Sequence, residues 1–218
     1  MKAINLEKLL PEDIPEGERI LWHGRPNWIL LLRSAYRADF VTGYFAVLAI
    51  WNALDSSSVG AEASAMAAAR TLAIGVAALA LLALLAWASA RTALFVITSR
   101  RVVMKIGVAL QVFYNLPFSQ IQNAAVRVEN DGSGEVTLRL APGKRVGYLN
   151  LWPFARPFRF ADPEPALRGL TNAARVGEIL GRALVAAANE RGEAFTTISE
   201  TSATATETPV ETGDAVAA

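Results

Sequence analysis

The stretch TLAIGVAALALLALLAWASA, residues 71–90, contains twenty residues without a charge, and Arg70 and Arg91 lie directly on either side of it. A helix rises about 1.5 Å per residue, so this stretch would be about 30 Å long, the hydrocarbon thickness of a bilayer. A helix buried in a soluble core seldom runs this far without a polar face. The sequence therefore predicts that residues 71–90 cross a membrane.

A second apolar stretch lies upstream of the first. Residues 40–54 carry no charge, but fifteen residues are too few to span a bilayer as a helix. Extending the helix to residues 36–55 restores the length and makes Tyr44 and Trp51 plausible interfacial anchors. We therefore expect a second span at about residues 36–55.

Together the two spans predict a helical hairpin over residues 36–90. Asp39 lies near the start of the first span, and Arg91 directly follows the second span. Both charges would then lie at the same edge of the membrane. We predict that Asp39 and Arg91 form an ion pair there.

Basic residues are concentrated on either side of the hairpin and are scarce in the loop that joins the spans. The positive-inside rule then places both termini in the cytoplasm and the loop in the periplasm, with residues 1–35 as a cytoplasmic N-terminal segment. Recognition of anionic lipid headgroups is an alternative use of the same charges, although topology alone accounts for most of them. The residues concerned are Arg25, Arg33, Arg37, Arg91, Arg100, Arg101 and Lys105.

After residue 93 the apolar run gives way to alternation of apolar and polar residues. This pattern, with turn residues between the segments, predicts short strands in a small antiparallel sheet, sandwich or barrel. A helix with one apolar stripe follows, which Thr171 or Asn172 can cap and Gly192 can end. The predicted strands are 94–97, 101–106, 110–114, 125–129 and 135–140, and the stripe is Val176, Ile179, Leu180, Ala183, Leu184 and Ala187.

The last residues, 192–218, differ in composition from the rest of the chain. They hold seven Thr and five acidic residues but no Lys or Arg, which is typical of a disordered acidic tail. This tail contributes a charge of −5, and the remaining residues carry +6. The near-neutral net charge of +1 therefore conceals a basic, membrane-facing body.

Composition and motifs argue against catalysis, cofactors and nucleic acid. The chain has no cysteine, which excludes disulfides, thiolate metal sites and a cysteine nucleophile, and its one histidine, His23, excludes a multi-histidine site. It shows no phosphate-binding loop, no serine elbow and no nucleic-acid recognition motif. We therefore expect a protein that is not an enzyme, holds no cofactor or metal and binds no nucleic acid.

An aromatic and arginine-rich segment, residues 148–160, is the candidate contact surface for a partner or the membrane. Aromatic residues and arginine are enriched at interface hot spots and at membrane interfaces. The alternative is a buried strand, because the aromatic residues of the segment share one parity. Both interpretations remain open for the candidate contact residues Trp152, Phe154, Arg156, Phe158 and Arg159.

Residues 91–188 resemble the bacterial pleckstrin-homology-like domain. The resemblance is carried by LFVITSRRVV at residues 94–103, followed by Gly107, at the exit of a membrane segment. EGERILWHGRP at residues 16–26 also resembles the stretch that precedes the spans in membrane-anchored members. The resemblance implies that residues 91–191 form a curved antiparallel sheet or barrel closed by a C-terminal helix. The predicted fold class is thus a membrane α-helical hairpin plus an α+β cytoplasmic domain.

A narrower resemblance covers residues 15–190 and is to PuhB-type photosynthetic complex assembly proteins of purple bacteria. It includes NLPF at residues 115–118, VGYLNLWP at 146–153, ARPF at 155–158 and PALR at 165–168. It implies a non-catalytic assembly factor at the bacterial inner (intracytoplasmic) membrane that helps form or stabilise the reaction-centre and core light-harvesting complex. The family provides no catalytic residues to carry over.

The partners implied by this resemblance are reaction-centre and core-antenna polypeptides, together with membrane lipids. Neither predicted span contains a histidine that could ligate bacteriochlorophyll, so we expect a protein that handles polypeptides rather than pigment. Exposed sheet edges could also pair two copies into a homodimer. The alternative function is a generic membrane-anchored pleckstrin-homology-like module that serves envelope lipids or proteins.

Overall fold

The computed structural model describes residues 17–58, 60–141, 147–157, 163–192 and 198–201. Helices and strands alternate irregularly along this part of the chain. In order they are β1 (Ile20–Gly24), α1 (Trp28–Ser34), α2 (Ala38–Asp55), α3 (Ala61–Thr92), β2 (Leu94–Thr98), β3 (Arg101–Ile106), β4 (Val112–Pro117), β5 (Ile121–Val128), β6 (Gly134–Leu140), α4 (Tyr148–Leu151), β7 (Ala166–Leu170), α5 (Ala173–Arg191) and β8 (Ile198–Thr201).

The strands form two four-stranded sheets, in the orders β1-β2-β3-β4 and β7-β6-β5-β8. Neighbouring strands are antiparallel, except that β5 and β8 run parallel. A short turn at Phe118–Gln120 separates β4 from β5 and carries the chain from the first sheet to the second. The predicted sheet-rich domain is confirmed. Of the predicted alternatives, the closed barrel is wrong, because the two sheets stay separate throughout the described residues.

Helix α5 closes the domain by packing on β5 and β6. Asn172 caps its start, where the side chain accepts a hydrogen bond from the Arg175 N–H at 3.1 Å, and Gly192 ends it in the left-handed conformation. Both helix boundaries therefore follow the predicted signals. The predicted stripe is buried except for Ile179, which is half-buried; the buried members are Val176, Leu180, Ala183, Leu184 and Ala187.

The helices α2 and α3 are inserted between two neighbouring strands of one sheet. β1 precedes the helices and β2 follows them, yet His23 pairs with Val96 in antiparallel register. The Asn27 N–H also donates to the Gly169 carbonyl at 2.8 Å, which ties the chain before the helices to β7. The predicted N-terminal segment, residues 1–35, therefore contributes residues that pair with the first sheet and hydrogen-bond to β7.

The predicted helical hairpin is present, but only one helix of the described chain is long and apolar enough to cross a membrane. That helix is α3, which contains the predicted span at 71–90. The predicted span at 36–55 corresponds to α2, whose eighteen residues include Asp39, Asn52 and Asp55. The expectation of two spans is corrected to one candidate span, because α2 is only eighteen residues long and those residues include two carboxylates.

Small residues let α2 and α3 approach closely. A side chain added at Gly75 of α3 would lie within 3 Å of Phe45 on α2, and Ala49 of α2 is buried. Near the loop end of the hairpin, the Asn52 side chain donates to the Thr71 hydroxyl at 2.8 Å, so this amide has a partner on the other helix. Packing and this hydrogen bond together hold the hairpin.

Three strands lie where the sequence analysis placed none: β1, β7 and β8. Strand β8, Ile198–Thr201, falls within residues 192–218, which were predicted to be a disordered tail, so the prediction differs from the structure at these four residues. The other residues of that tail after Gly192 lie outside the described residues.

Candidate functional site

The helical hairpin joins the sheet domain through a cluster of three side chains, Tyr36, Ser89 and Trp152, which we call the junction cluster. The buried hydroxyls of Tyr36 and Ser89 share a hydrogen bond of 2.9 Å, which links the start of α2 to the last turns of α3. The Trp152 ring packs edge-on against the Tyr36 ring, with centroids 5.0 Å apart. Trp152 is still 46% exposed, so the junction cluster offers an aromatic surface beside the end of α3.

Beneath this cluster, Arg168 of β7 connects three parts of the fold. Its side chain is 7% exposed and donates to the Glu135 carboxylate at 2.8 Å. It also donates to the Ser34 carbonyl at the end of α1, at 2.8 Å, and to the Pro153 carbonyl at 3.4 Å. One buried guanidinium therefore holds the helical segment and the 152–157 loop against the sheet.

A polar cleft of about 270 Å³ opens between α1, the start of α2 and the β5–β6 turn. Four basic and four acidic side chains line it. Hydrogen bonds that Ser133 donates hold the pKa of Asp131 below its ordinary value. A balanced cleft of this kind suits polar contacts with another polypeptide better than it suits a phosphate group. Its charged residues are Arg33, Arg37, Arg127, Arg168, Asp39, Glu129, Asp131 and Glu135.

The structure separates the residues of the predicted contact segment. Trp152 is half-exposed in the junction cluster, whereas Phe154 is fully buried and packs edge-on against Phe95 with centroids 5.3 Å apart. Phe158 and Arg159 lie outside the described residues. The described part of the segment, residues 148–157, forms helix α4 and a loop that pairs with the chain before β7 through one bridge, Ala155 to Pro165. Parity along a single strand therefore does not decide which of these side chains are buried.

Arg156, the third described member of the predicted contact segment, fixes the 152–157 loop to the sheet. Its guanidinium donates to Glu164 at 3.0 Å, and Arg139 of β6 donates to the same carboxylate at 3.0 Å. The Glu164 side chain is only 3% exposed. Arg156 therefore contributes to the structure of the loop, whatever else it contacts.

The ion pair predicted between Asp39 and Arg91 is not the one that the structure forms. Asp39 instead accepts a hydrogen bond from Arg33 at 3.1 Å, and both side chains are well exposed. The Arg91 guanidinium lies over the Trp87 ring, 5.3 Å from its centroid. Arg33 precedes Asp39 by six residues and reaches it across the turn between α1 and α2, so the local partner occupies the carboxylate.

The turn that carries the family resemblance is fixed by a bidentate ion pair. Arg101 donates to both carboxylate oxygens of Glu18, at 2.8 and 2.9 Å, and the Glu18 side chain is 3% exposed. Thr98 also accepts hydrogen bonds from the Arg100 and Arg101 N–H groups, which closes the β2–β3 turn. Of the basic residues that flank the hairpin in the sequence, Arg101 is therefore committed to a contact within the sheet domain.

Replacing Glu18 with Gln should reduce stability at neutral pH and weaken the acid sensitivity of the protein. Burial raises the pKa of Glu18, but hydrogen bonds from Arg101 and Thr98 and the positive charges of Arg101 and Arg100 hold it below the ordinary 4.5. A lowered pKa in the folded state stabilises the fold above the ordinary value, and this contribution disappears as pH falls through the folded value. Thermal unfolding in detergent from neutral pH to pH 3 measures the effect.

The matched control is Glu178→Gln, which removes an exposed carboxylate paired with Arg182 on α5. Its unfolding curve should follow that of the parent protein at every pH. Equal acid sensitivity in the parent and in the Glu18→Gln variant would contradict the assigned role of Glu18.

His23 lies exposed on β1. Within the residues that the structure describes, no group of three or more His, Cys, Asp or Glu side chains could hold a metal ion.

The sequence analysis did not identify Tyr36 and Ser89 as members of the junction cluster, nor Arg168 as the residue that connects the parts of the fold beneath it. Arg168 carried a usable signal, because a single arginine within the apolar strand ALRGL must be paired if that strand is buried. The sequence signal for Ser89 was weaker: it is a hydroxyl residue near the end of a long apolar helix. Tyr36 was placed at the start of the first span, but its partners come from distant parts of the chain.

Comparison with known proteins gave a family and a relative. Residues 44–184 match the bacterial PH domain family. A protein of Rhodobacter capsulatus, described as an uncharacterized 23.7 kDa protein in the puhA 5′ region, is 38% identical over 184 residues. The similarity covers 83% of this chain and 86% of the relative. No solved structure gave a significant match.

Proposed function

The chain belongs to the bacterial PH domain family, and we propose that it is a non-catalytic assembly factor of the photosynthetic reaction-centre and core light-harvesting complex. The observation that carries the proposal is the relative in Rhodobacter capsulatus, whose description places it in the 5′ region of puhA, in a photosynthetic reaction-centre gene region. An assembly factor acts by binding polypeptides, so its function requires contact surfaces rather than a catalytic constellation.

The first such surface is one face of α2. Its large apolar side chains are all more than half exposed, and they recur at alternating spacings of four and three residues. Residues at that spacing share one side of a helix. This face is free to pack against a membrane helix of a reaction-centre or core-antenna polypeptide. Its members are Phe40, Tyr44, Val47, Trp51 and Leu54.

The second surface is the junction cluster, where Trp152 is half-exposed, together with the polar cleft that contains equal numbers of acidic and basic residues. An aromatic anchor beside polar groups of both signs is typical of a protein–protein contact. Both surfaces adjoin the same end of the helical hairpin. A partner polypeptide that contacts α2 within the membrane could therefore reach Trp152 with the segment that leaves the membrane.

The proposed location is the bacterial inner membrane, with α3 as the anchor and the sheet domain in the cytoplasm. Basic residues support this orientation, since Arg33, Arg37 and Arg91 all lie at the end of the hairpin that joins the sheet domain. The exposed face of α2 favours placing α2 beside α3 within the apolar layer, in contact with lipid or a partner helix.

Photo-crosslinking in native membranes tests the assembly role. A photoreactive amino acid at Trp51 or at Trp152 should give crosslinks to reaction-centre or core-antenna polypeptides in cells that are forming photosynthetic complexes. The matched control is Arg100, an exposed residue in the β2–β3 turn at the far end of the first sheet, where no such crosslink is expected. If Trp51 and Trp152 capture only lipid or unrelated envelope proteins, the assembly role is wrong and a generic membrane-anchored module is favoured.

A further inference from the structure

The turn between β3 and β4, residues 107–111, exposes apolar side chains, and we call it the β3–β4 tip. Leu110 is 82% exposed, as much as Phe40 on the helical hairpin at 79%, and Val108 is exposed as well. The tip is tightly built, because Gly107 has a φ of +110° and a side chain there would collide with the Leu110 carbonyl. With Val112 at the start of β4, the turn brings three exposed apolar side chains into five residues of chain, a concentration that favours a contact surface.

The β3–β4 tip lies at the end of the first sheet from which α3 emerges. Leu94 begins β2 two residues after α3 ends, and it pairs with Lys105 of β3. β3 continues past this level to Ile106, and β3 and α3 are in contact. At about 3.3 Å per residue, the β3–β4 tip extends roughly 10 Å beyond Leu94, on the side of the anchor helix.

The charges around the β3–β4 tip fit an anionic lipid surface. No acidic residue occurs between positions 92 and 128. The Lys105 ammonium lies 5.4 Å from the centre of the Phe113 ring, and the Arg91 guanidinium lies similarly over Trp87. Cations paired with aromatic rings next to an apolar turn suit the boundary between headgroups and acyl chains.

We propose that the β3–β4 tip inserts Val108 and Leu110 into the headgroup–acyl boundary of the bilayer that α3 crosses, with Lys105 beside anionic headgroups. The membrane is the occupant that the geometry favours, because the β3–β4 tip and the anchor helix leave the same end of the sheet. The tip then provides a second attachment that fixes the orientation of the sheet domain against the bilayer. This inference rests on α3 as a membrane anchor and does not depend on the identity of any protein partner.

Site-directed fluorescence of the full chain in vesicles tests the inference. Because the chain has no cysteine, single-cysteine variants can carry an environment-sensitive fluorophore without background. Leu110→Cys reports on the β3–β4 tip, Ser99→Cys on the opposite end of the sheet, and Ile74→Cys on the exposed middle of α3. The vesicles contain phosphatidylcholine with or without phosphatidylglycerol, together with lipids spin-labelled near the headgroup or deep in the acyl chain.

Label at Leu110→Cys should be quenched severalfold more by the shallow spin label than label at Ser99→Cys. Label at Ile74→Cys should be quenched by the deep spin label, which shows that the anchor is in place. Adding Lys105→Glu should reduce the quenching at position 110 in phosphatidylglycerol vesicles more than in pure phosphatidylcholine.

The inference is overturned if position 110 is as open to aqueous iodide as position 99 while position 74 remains quenched by lipid. It is also overturned if position 110 is shielded from iodide but not quenched by any spin-labelled lipid, which would indicate a protein contact. Because these measurements use purified protein and lipid only, their failure is separate from failure of the assembly role.

Discussion

Arg168→Met is expected to lower the free energy of unfolding by about 3–5 kcal/mol, the usual cost of removing one partner of a buried ion pair. The methionine keeps most of the length of the side chain but donates no hydrogen bonds. Glu135, whose side chain is 13% exposed, would lose the guanidinium 2.8 Å away, and the Ser34 carbonyl would lose its donor at 2.8 Å. Denaturant unfolding in detergent, followed by tryptophan fluorescence, measures the loss.

Two variants show whether the loss has this cause. Arg182→Met removes an exposed arginine from an ion pair with Glu178 and should change the free energy of unfolding by less than about 0.5 kcal/mol. Adding Glu135→Gln to Arg168→Met should recover part of the loss, because the carboxylate that has lost its close partner and keeps only Arg127 at 3.9 Å becomes a neutral amide. Equal effects of Arg168→Met and Arg182→Met would contradict the role given to Arg168.

The elements that the sequence predicted well are those whose signals are local. α3 follows from a long uncharged run, and α5 follows from one apolar stripe between two capping signals. β2, β3 and β6 follow from apolar runs or alternation between turn residues, and their observed boundaries lie within one residue of those predicted. Each of these signals can be read without knowing what the segment packs against.

The elements that the sequence missed depend on distant partners. β1 has only five residues, and its pairing partner β2 lies about seventy residues further along the chain. β7 is equally short and is interrupted by the charge of Arg168, which becomes acceptable only when Glu135 is close by. No window of sequence contains both halves of these contacts, so the integration of residues 20–34 into the sheet domain could not be predicted.

In the candidate site too, local sequence signals were informative, whereas contacts that depend on the surrounding fold were not predicted. Composition alone indicated that the 148–160 segment makes important contacts, but not which contacts each aromatic ring makes. The alternation rule assumes a strand, whereas helix α4 and the loop after it turn Trp152 outward and Phe154 inward. The Asp39 pairing failed for a related reason, because the turn before α2 brings Arg33 to the carboxylate.

Phe154→Ala should lower the free energy of unfolding by about 3–5 kcal/mol, as is usual when a buried aromatic ring is truncated and a cavity remains. Phe154 is fully buried, and the edge-on contact with Phe95 would be lost. Trp152→Ala should cost only about 1 kcal/mol, since this ring is half-exposed and loses mainly its contact with Tyr36. Denaturant unfolding of both variants in detergent measures the difference.

The same pair of variants separates a structural role from a role in assembly. Trp152→Ala should leave the protein folded and present in membranes while the near-infrared absorbance of the assembled reaction-centre and core-antenna complex decreases. Phe154→Ala should reduce that absorbance only in proportion to the loss of folded protein, and Phe154→Leu, which refills most of the space, should restore both. If Trp152→Ala cells assemble the complex normally, Trp152 is not the aromatic anchor, and the exposed face of α2 would have to provide the contact alone.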